Sequence, residues 1–161
     1  MRLALPLLLL AGCSGKPTDS AKEPAADTGW SEPDYAARVS ITEGVWGAVL
    51  RRRGHGTPAA APTAPLETAV RAWPVLQDAE LERADDRPGV PGVYRTPAAS
   101  VVAEARSDAD GFYELALPAG QYSVLVQDLG DWFCDRPAAE GVCLVTVPGG
   151  EVVQNDIFVD Y

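Results

Sequence analysis

The chain offers few residues for chemistry. Its single histidine, His55, lies between Gly54 and Gly56 in a run of Ala, Pro and Gly. A Ser-His-Asp triad needs a nucleophile held beside the imidazole, usually on a sharp turn, and no such elbow occurs in the sequence. The acidic run Asp108-Ala109-Asp110-Gly111 invites a calcium reading. Placing Gly111 as the loop glycine of an EF-hand puts Arg106 first and Leu117 twelfth, where the ion needs an acidic ligand and a bidentate glutamate. The run is better read as a turn that Asp108 caps with its own side chain. Arg51, Arg52 and Arg53 form a short basic run, but adjacent strand residues point to opposite faces, so their donors do not converge on an anion. Cys134 and Cys143 have no further soft or imidazole ligand nearby to complete a zinc site. Among the aromatic residues, Trp132-Phe133 could form a stacking platform for a carbohydrate if a loop held them exposed. Trp46 and Trp73 admit the same use. Tryptophans in small β-proteins otherwise pack in the core or at its rim.

The elements that position these groups centre on Val101 to Asp128, VVAEARSDADGFYELALPAGQYSVLVQD. Three strand patterns are joined by two turns, Ser107 to Gly111 and Leu117 to Gly120. Each turn ends on a glycine, for which positive φ is expected. Phe112, Glu114 and Ala116 alternate with Tyr113, Leu115 and Leu117. Tyr122, Val124 and Val126 alternate with Ser123, Leu125 and Gln127. Period 2 over runs this short marks half-buried strands.

The residues Ser107, Asp108, Gly111, Phe112, Leu117, Pro118, Gly120, Tyr122 and Val124 follow the order Ser/Thr-Asp-x-x-Gly-aromatic, strand, Leu-Pro-x-Gly-x-Tyr-x-Val. This resembles the carboxypeptidase regulatory-like domains, small transthyretin-like β-sandwiches. The resemblance implies an all-β, Greek-key sandwich of about seven strands, with Asp108, Gly111, Pro118, Gly120 and Tyr122 as its fold motif. The single histidine argues against an enzyme, since the related zinc carboxypeptidases, transthyretin-like hydrolases and intradiol dioxygenases need more than His55. An enzyme with His55 as base is the remaining alternative and needs a nucleophile and a carboxylate beside it. No cofactor or metal is expected. One such fold hosts many roles, so function has to be argued from sites.

Residues 1–12 have the pattern of a secretory signal: Arg2, then an apolar run from Leu3 to Leu10 too short to span a bilayer. Leu10-Ala11-Gly12-Cys13 resembles the lipobox of bacterial lipoproteins, which implies cleavage before Cys13 and lipidation of its thiol. Ser14, where inner-membrane lipoproteins of that class often carry aspartate, leans toward the outer membrane, facing the periplasm or the cell surface. Residues 13–34 are small, polar and proline-containing, a flexible tether with a reach on the order of 25 Å. With Cys13 lipidated and the compartment oxidising, Cys134 and Cys143 are expected to form a disulfide.

Residues 35–161 are left for the domain. Val39, Ile41, Val45, Gly47 and Val49 alternate as a first strand, and Gly47 suggests a bulge or a close backbone approach. Glu67 to Leu76 is the next strand, confined by Pro74 to an edge or a strand end. Gln77 to Pro97 departs from the family pattern. Gln77 to Arg87 could form a short helix, and the whole is an inserted loop of the sort that carries recognition. Cys143 to Val147 and Val152 to Tyr161 follow as strands, with Val153, Asn155, Ile157, Val159 and Tyr161 on one face. The expected core includes Val49, Val124, Val126, Val145, Ile157 and Val159. A net charge of −10 argues against nucleic acid, whose phosphates call for a basic face. The partners expected are a membrane, through Cys13, and an envelope protein or polysaccharide.

Overall fold

The computed structural model describes residues 33–52, 63–84 and 92–160. Among them there is no α-helix, only single 3-10 turns at Ala36–Arg38 and Asp78–Glu80. The strands are β1 (Gly44–Arg52), β2 (Thr63–Pro65), β3 (Ala69–Pro74), β4 (Val93–Tyr94), β5 (Ala103–Arg106), β6 (Phe112–Ala116), β7 (Gly120–Asp128), β8 (Asp131–Phe133), β9 (Pro137–Ala138), β10 (Gly141–Val142), β11 (Leu144–Val147), β12 (Val152–Gln154) and β13 (Ile157–Val159). They form two main sheets and a small β9–β10 ribbon. The protein is all-β, in more and shorter strands than the seven or so expected.

β1 is the spine of the first sheet. β12 and then β13 run parallel to it, pairing Val45 with Val153 and Leu50 with Phe158. β6 and β2 run antiparallel to it, pairing Gly47 with Tyr113 and Arg51 with Ala64. Hydrogen bonding separates the flanks. The Val49 amide and carbonyl turn to Gly111 and Leu66, whereas the Trp46 carbonyl turns to the Asn155 amide. β12 and β13 are one run of chain interrupted at Asn155-Asp156. Gly47 lies against the interruption: a Cβ there would stand 2.2 Å from the Asn155 carbonyl oxygen. Only glycine allows that approach.

The second sheet runs β4-β8-β7-β3-β5, with β11 on β7 ahead of β8. β3 meets β7 with Ala72 opposite Val124, and β5 with Arg71 opposite Glu104. The chain crosses between sheets at the Ser107–Gly111 turn. Gly111 takes φ +85°, as expected of a turn glycine. Gly120 is a correction, since it is not among the residues of positive φ. It opens β7 in ordinary extended backbone beneath the Tyr122 ring, whose hydroxyl donates to the Pro118 carbonyl at 2.9 Å.

One core draws from both sheets. Val45, Val49, Tyr113, Leu115, Ile157 and Val159 of the first meet Val70, Ala72, Val124, Val126, Phe133 and Val145 of the second. All six expected core residues are buried. Each such side chain contributes on the order of 1.5–3 kcal/mol relative to exposure. The alternation expected of β6 is also present, with Tyr113, Leu115 and Leu117 inward.

The outer faces are covered as well, which alternation did not foretell. Tyr35, Ala48, Leu50 and Phe112 cluster outside the first sheet under Val39. The expected strand start at Val39 and Ile41 is therefore corrected: β1 begins at Gly44, and the chain before it is a 3-10 turn and an extended lead-in. Trp73, Leu76, Tyr94, Leu125, Trp132, Val142 and both cysteines cluster outside the second sheet.

Candidate functional site

The 77–97 segment and the disulfide loop meet on that outer face. The segment is only partly a loop. Its first residues form the Asp78–Glu80 turn rather than a longer helix, and its far end forms β4, hydrogen-bonded to β8 with Tyr94 opposite Trp132. The Arg83–Tyr94 bridge and the Ala84 amide bond to the Val93 carbonyl fold the segment back on itself. Residues 85–91 lie outside the described residues.

Two backbone bonds fasten Leu76, just before the segment, and Gly92 within it to the disulfide loop. The Val142 amide donates to the Leu76 carbonyl at 2.9 Å, and the Cys134 amide to the Gly92 carbonyl at 2.8 Å. The Cys134–Cys143 disulfide is formed as expected, with Cα atoms 5.7 Å apart. It closes the loop that carries β9 and β10, so Pro137, Ala138 and Ala139 stand across from Asp78 and Arg83. These five residues line an open cleft of about 320 Å³.

Asp78 is the polar centre of the cleft. The Tyr94 hydroxyl donates to its Oδ1 at 2.6 Å, and Arg83 Nη2 donates to both carboxylate oxygens at 2.8 Å. The Arg83 guanidinium also stands 5.6 Å from the centre of the Tyr94 ring. The Tyr94 hydrogen bond and then Arg83 hold Asp78 below the usual carboxylate range. Burial and the neighbouring Asp78 push the Tyr94 phenol up. Near neutral pH both groups therefore keep one protonation state: Asp78 accepts and Tyr94 donates. The cleft is a fixed pattern of donors, acceptors and small apolar side chains, suited to recognition more than to moving protons. Sequence reasoning pointed to this segment but not to Asp78, Arg83 and Tyr94. The charged spacing of Asp78 and Arg83 was the only signal, and Tyr94 carried none.

The stacking platform is a correction. Trp132 and Phe133 are 1% and 2% exposed. The segment is a strand, not a loop, because β8 returns along β7 with Phe133 opposite Val126. That register turns Phe133 into the main core and Trp132 into the outer cluster, where it meets Trp73 edge-to-face at 4.8 Å. Arg71 covers the Trp132 ring at 4.7 Å. Trp73 is fully buried and Trp46 half-buried.

The acidic turn is held from within the chain. Asp108 accepts from the Asp110 and Phe112 amides at 2.9 and 3.1 Å and pairs with Arg38, while the Tyr35 hydroxyl donates to the Asp110 carbonyl. This is the turn-capping role expected of Asp108. Of the remaining fold-motif residues, Pro118 is exposed in the turn between β6 and β7. A second open cleft, about 440 Å³, lies between Ser40–Glu43 and Ala116–Pro118. No cluster of three or more His, Cys, Asp or Glu suited to a metal occurs among the described residues. Cys13 and His55 lie outside them.

Comparison of the chain with protein-family models, with curated proteins and with solved structures gives no match.

Proposed function

We propose that this chain is a lipid-anchored, non-enzymatic module of the bacterial cell envelope. In this reading it is a transthyretin-like, Greek-key β-sandwich of the carboxypeptidase regulatory-like kind, and it works by surface contact with another envelope protein. The anchor rests on Cys13 and the residues before it, and the family on the residues from Ser107 to Val124. The observation that carries the contact role is the cleft between the 77–97 segment and the disulfide loop. A covalent bridge and two backbone hydrogen bonds brace it, and it offers a charge-paired carboxylate beside small apolar side chains. Bracing of this kind lowers the ordering cost of binding. A carbohydrate role depended on exposed rings at Trp132 and Phe133, and their burial removes that support.

Site-specific photo-crosslinking in the bacterium that makes the protein tests this reading. A crosslinker at Ala139, on the cleft, is expected to give one discrete protein adduct. The same group at exposed Thr146, away from the cleft, is expected to give none, and Arg83→Glu is expected to abolish the Ala139 adduct. Equal adducts from both positions, or none from either, would overturn the reading.

A further inference from the structure

β5 is the outermost strand of the second sheet: β3 pairs with it on one side, and no strand pairs with the other side among the described residues. The pairing fixes which of its backbone groups are spare. The Ser107 amide donates to the Thr68 carbonyl; the Val102 amide, one residue out of step just before the strand, also reaches the Ala72 carbonyl, as at a bulge. Backbone groups alternate in direction along an antiparallel strand, so Ala103 and Ala105 bond to β3 while Glu104 and Arg106 turn their amides and carbonyls outward. The side of β7 away from β3 agrees in parity, since the Val124 amide turns to the Cys143 carbonyl.

Such an edge is a template for another strand. We propose that β5 is a self-pairing edge, through which two copies of this chain join their second sheets antiparallel about Ala105. The outward groups sit on Glu104 and Arg106, so a regular ladder must place these residues opposite one another across the seam. Three registers do so. Centring on Glu104 opposes two glutamates, and centring on Arg106 opposes two arginines. Centring on Ala105 opposes Glu104 to the second copy's Arg106 at both ends, with two backbone bonds to each pair. Like charges directly opposite disfavour the first two registers, and unlike charges favour the third.

The charges beside the edge extend the pattern. Glu104 accepts from Arg71 at 2.9 Å, and Arg106 donates to Glu67 at 3.1 Å. The paired sheets would carry a row running Arg71, Glu104, then Arg106 and Glu67 of the second copy, alternating in sign. Glu104 and Arg106 side chains are 51% and 65% exposed, so the row is open to a partner. The exposed Val101 and Val102 lie immediately before the edge, where a second copy would cover them. The contact is two-fold and closes on itself, so it gives a dimer rather than a fibre.

Sedimentation equilibrium on the full chain in detergent tests this. The wild type is expected to show a concentration-dependent monomer–dimer equilibrium. Arg106→Glu, which opposes glutamates at both ends, is expected to weaken association about tenfold or more. Glu104→Arg alone is expected to do the same. An equimolar mixture of the two variants restores both opposite-charge pairs and is expected to dimerise as a heterodimer, with circular dichroism showing that each variant is folded. The double variant Glu104→Arg, Arg106→Glu is expected to homodimerise again. A wild type that stays monomeric, a dimer indifferent to Arg106→Glu, or variants that do not recover in the mixture would each overturn the proposal.

Discussion

Tyr113 and Asn155 hold each other inside the core. The Tyr113 hydroxyl donates to the Asn155 carbonyl at 2.6 Å, and the Asn155 side-chain amide donates back to that hydroxyl at 3.0 Å. The pair joins β6 to the interruption between β12 and β13, where the ladder to β1 leaves backbone groups to be satisfied. Tyr113→Phe would strand the Asn155 carbonyl in the core and is expected to cost about 1–3 kcal/mol. Urea unfolding at pH 7 measures it. Burial also pushes the Tyr113 phenol above its ordinary value of 10.0. A phenol that ionises only in the unfolded chain gives stability that is complete below pH 10 and declines above it. The gap between wild type and Tyr113→Phe should therefore narrow as pH rises past 10. A constant gap would mean that the phenol does not titrate between the two states.

Arg38 ties the lead-in segment to the acidic turn, and the tie should fail in acid. Burial raises Asp108, but the Arg38 contact and the amides of Asp110 and Phe112 together hold it below its ordinary 3.8. Glu114 is lowered likewise by Ser40, which donates from its hydroxyl and its amide. A depressed carboxylate gives stability that is present above its unfolded value and lost as pH falls through the folded one. Asp108→Asn is expected to unfold with a shallower dependence on pH between about 5 and 3. Chemical denaturation across that range is the check, and an unchanged slope would count against the Arg38 contact.

The turns and inward faces of this fold were legible because they rest on local rules. Gly111, Asp108 and the alternation from Tyr113 to Leu117 follow from backbone sterics and period 2. Alternation tells which residues share a face, but not what covers that face. Leu125 and Trp132 therefore read as outward, yet Leu76, just before the 77–97 segment, and Tyr94 within it bury them. The parallel pairing of β12 and β13 with β1 was not legible either, because it joins residues about a hundred apart with no local mark except Gly47. The cleft was half legible for the same reason. The cysteines announced a bridge, but the meeting of Asp78 with Tyr94 depends on how the segment folds back.

Leu129 occupies a position better suited to asparagine or glycine. It and Gly130 form the tight turn between β7 and β8, with φ of 51° and 95°, and its side chain is 78% exposed. A β-carbon in left-handed backbone costs on the order of 1–2 kcal/mol, and Leu129 buries little to offset it. Leu129→Asn is expected to raise stability by about 0.5–1 kcal/mol, read as a higher urea midpoint at constant slope. A loss of stability would show that the leucine makes a contact worth more than the strain.

The anchor proposed at Cys13 makes a fractionation prediction. Each buried methylene of an acyl chain contributes about 0.8 kcal/mol to membrane binding, so several chains on one cysteine hold the protein firmly. Cys13→Ser removes the acceptor thiol. It is expected to block incorporation of labelled palmitate and to prevent processing before residue 13. Unchanged labelling would place the lipid elsewhere, and absent labelling of the wild type would remove the anchor from the reading.

The disulfide should stabilise the fold and shape the cleft, and these effects can be separated. Cys134 and Cys143 are nine residues apart, and closing so short a loop is worth about 2.5–3 kcal/mol by chain entropy. Cys134→Ala with Cys143→Ala is expected to lower the melting temperature on the order of 10 °C. The Cys134 and Val142 amides would still reach Gly92 and Leu76, so the second sheet should survive. In the β9–β10 ribbon Val142 is buried and keeps its bond to Leu76, but Pro137 and Ala138 are exposed and depend on the bridge to stand opposite Asp78. Hydrogen exchange is therefore expected to quicken at residues 138–141 far more than in β7 or β3. Uniform quickening across both would mean that the bridge supports the whole sheet rather than the cleft wall.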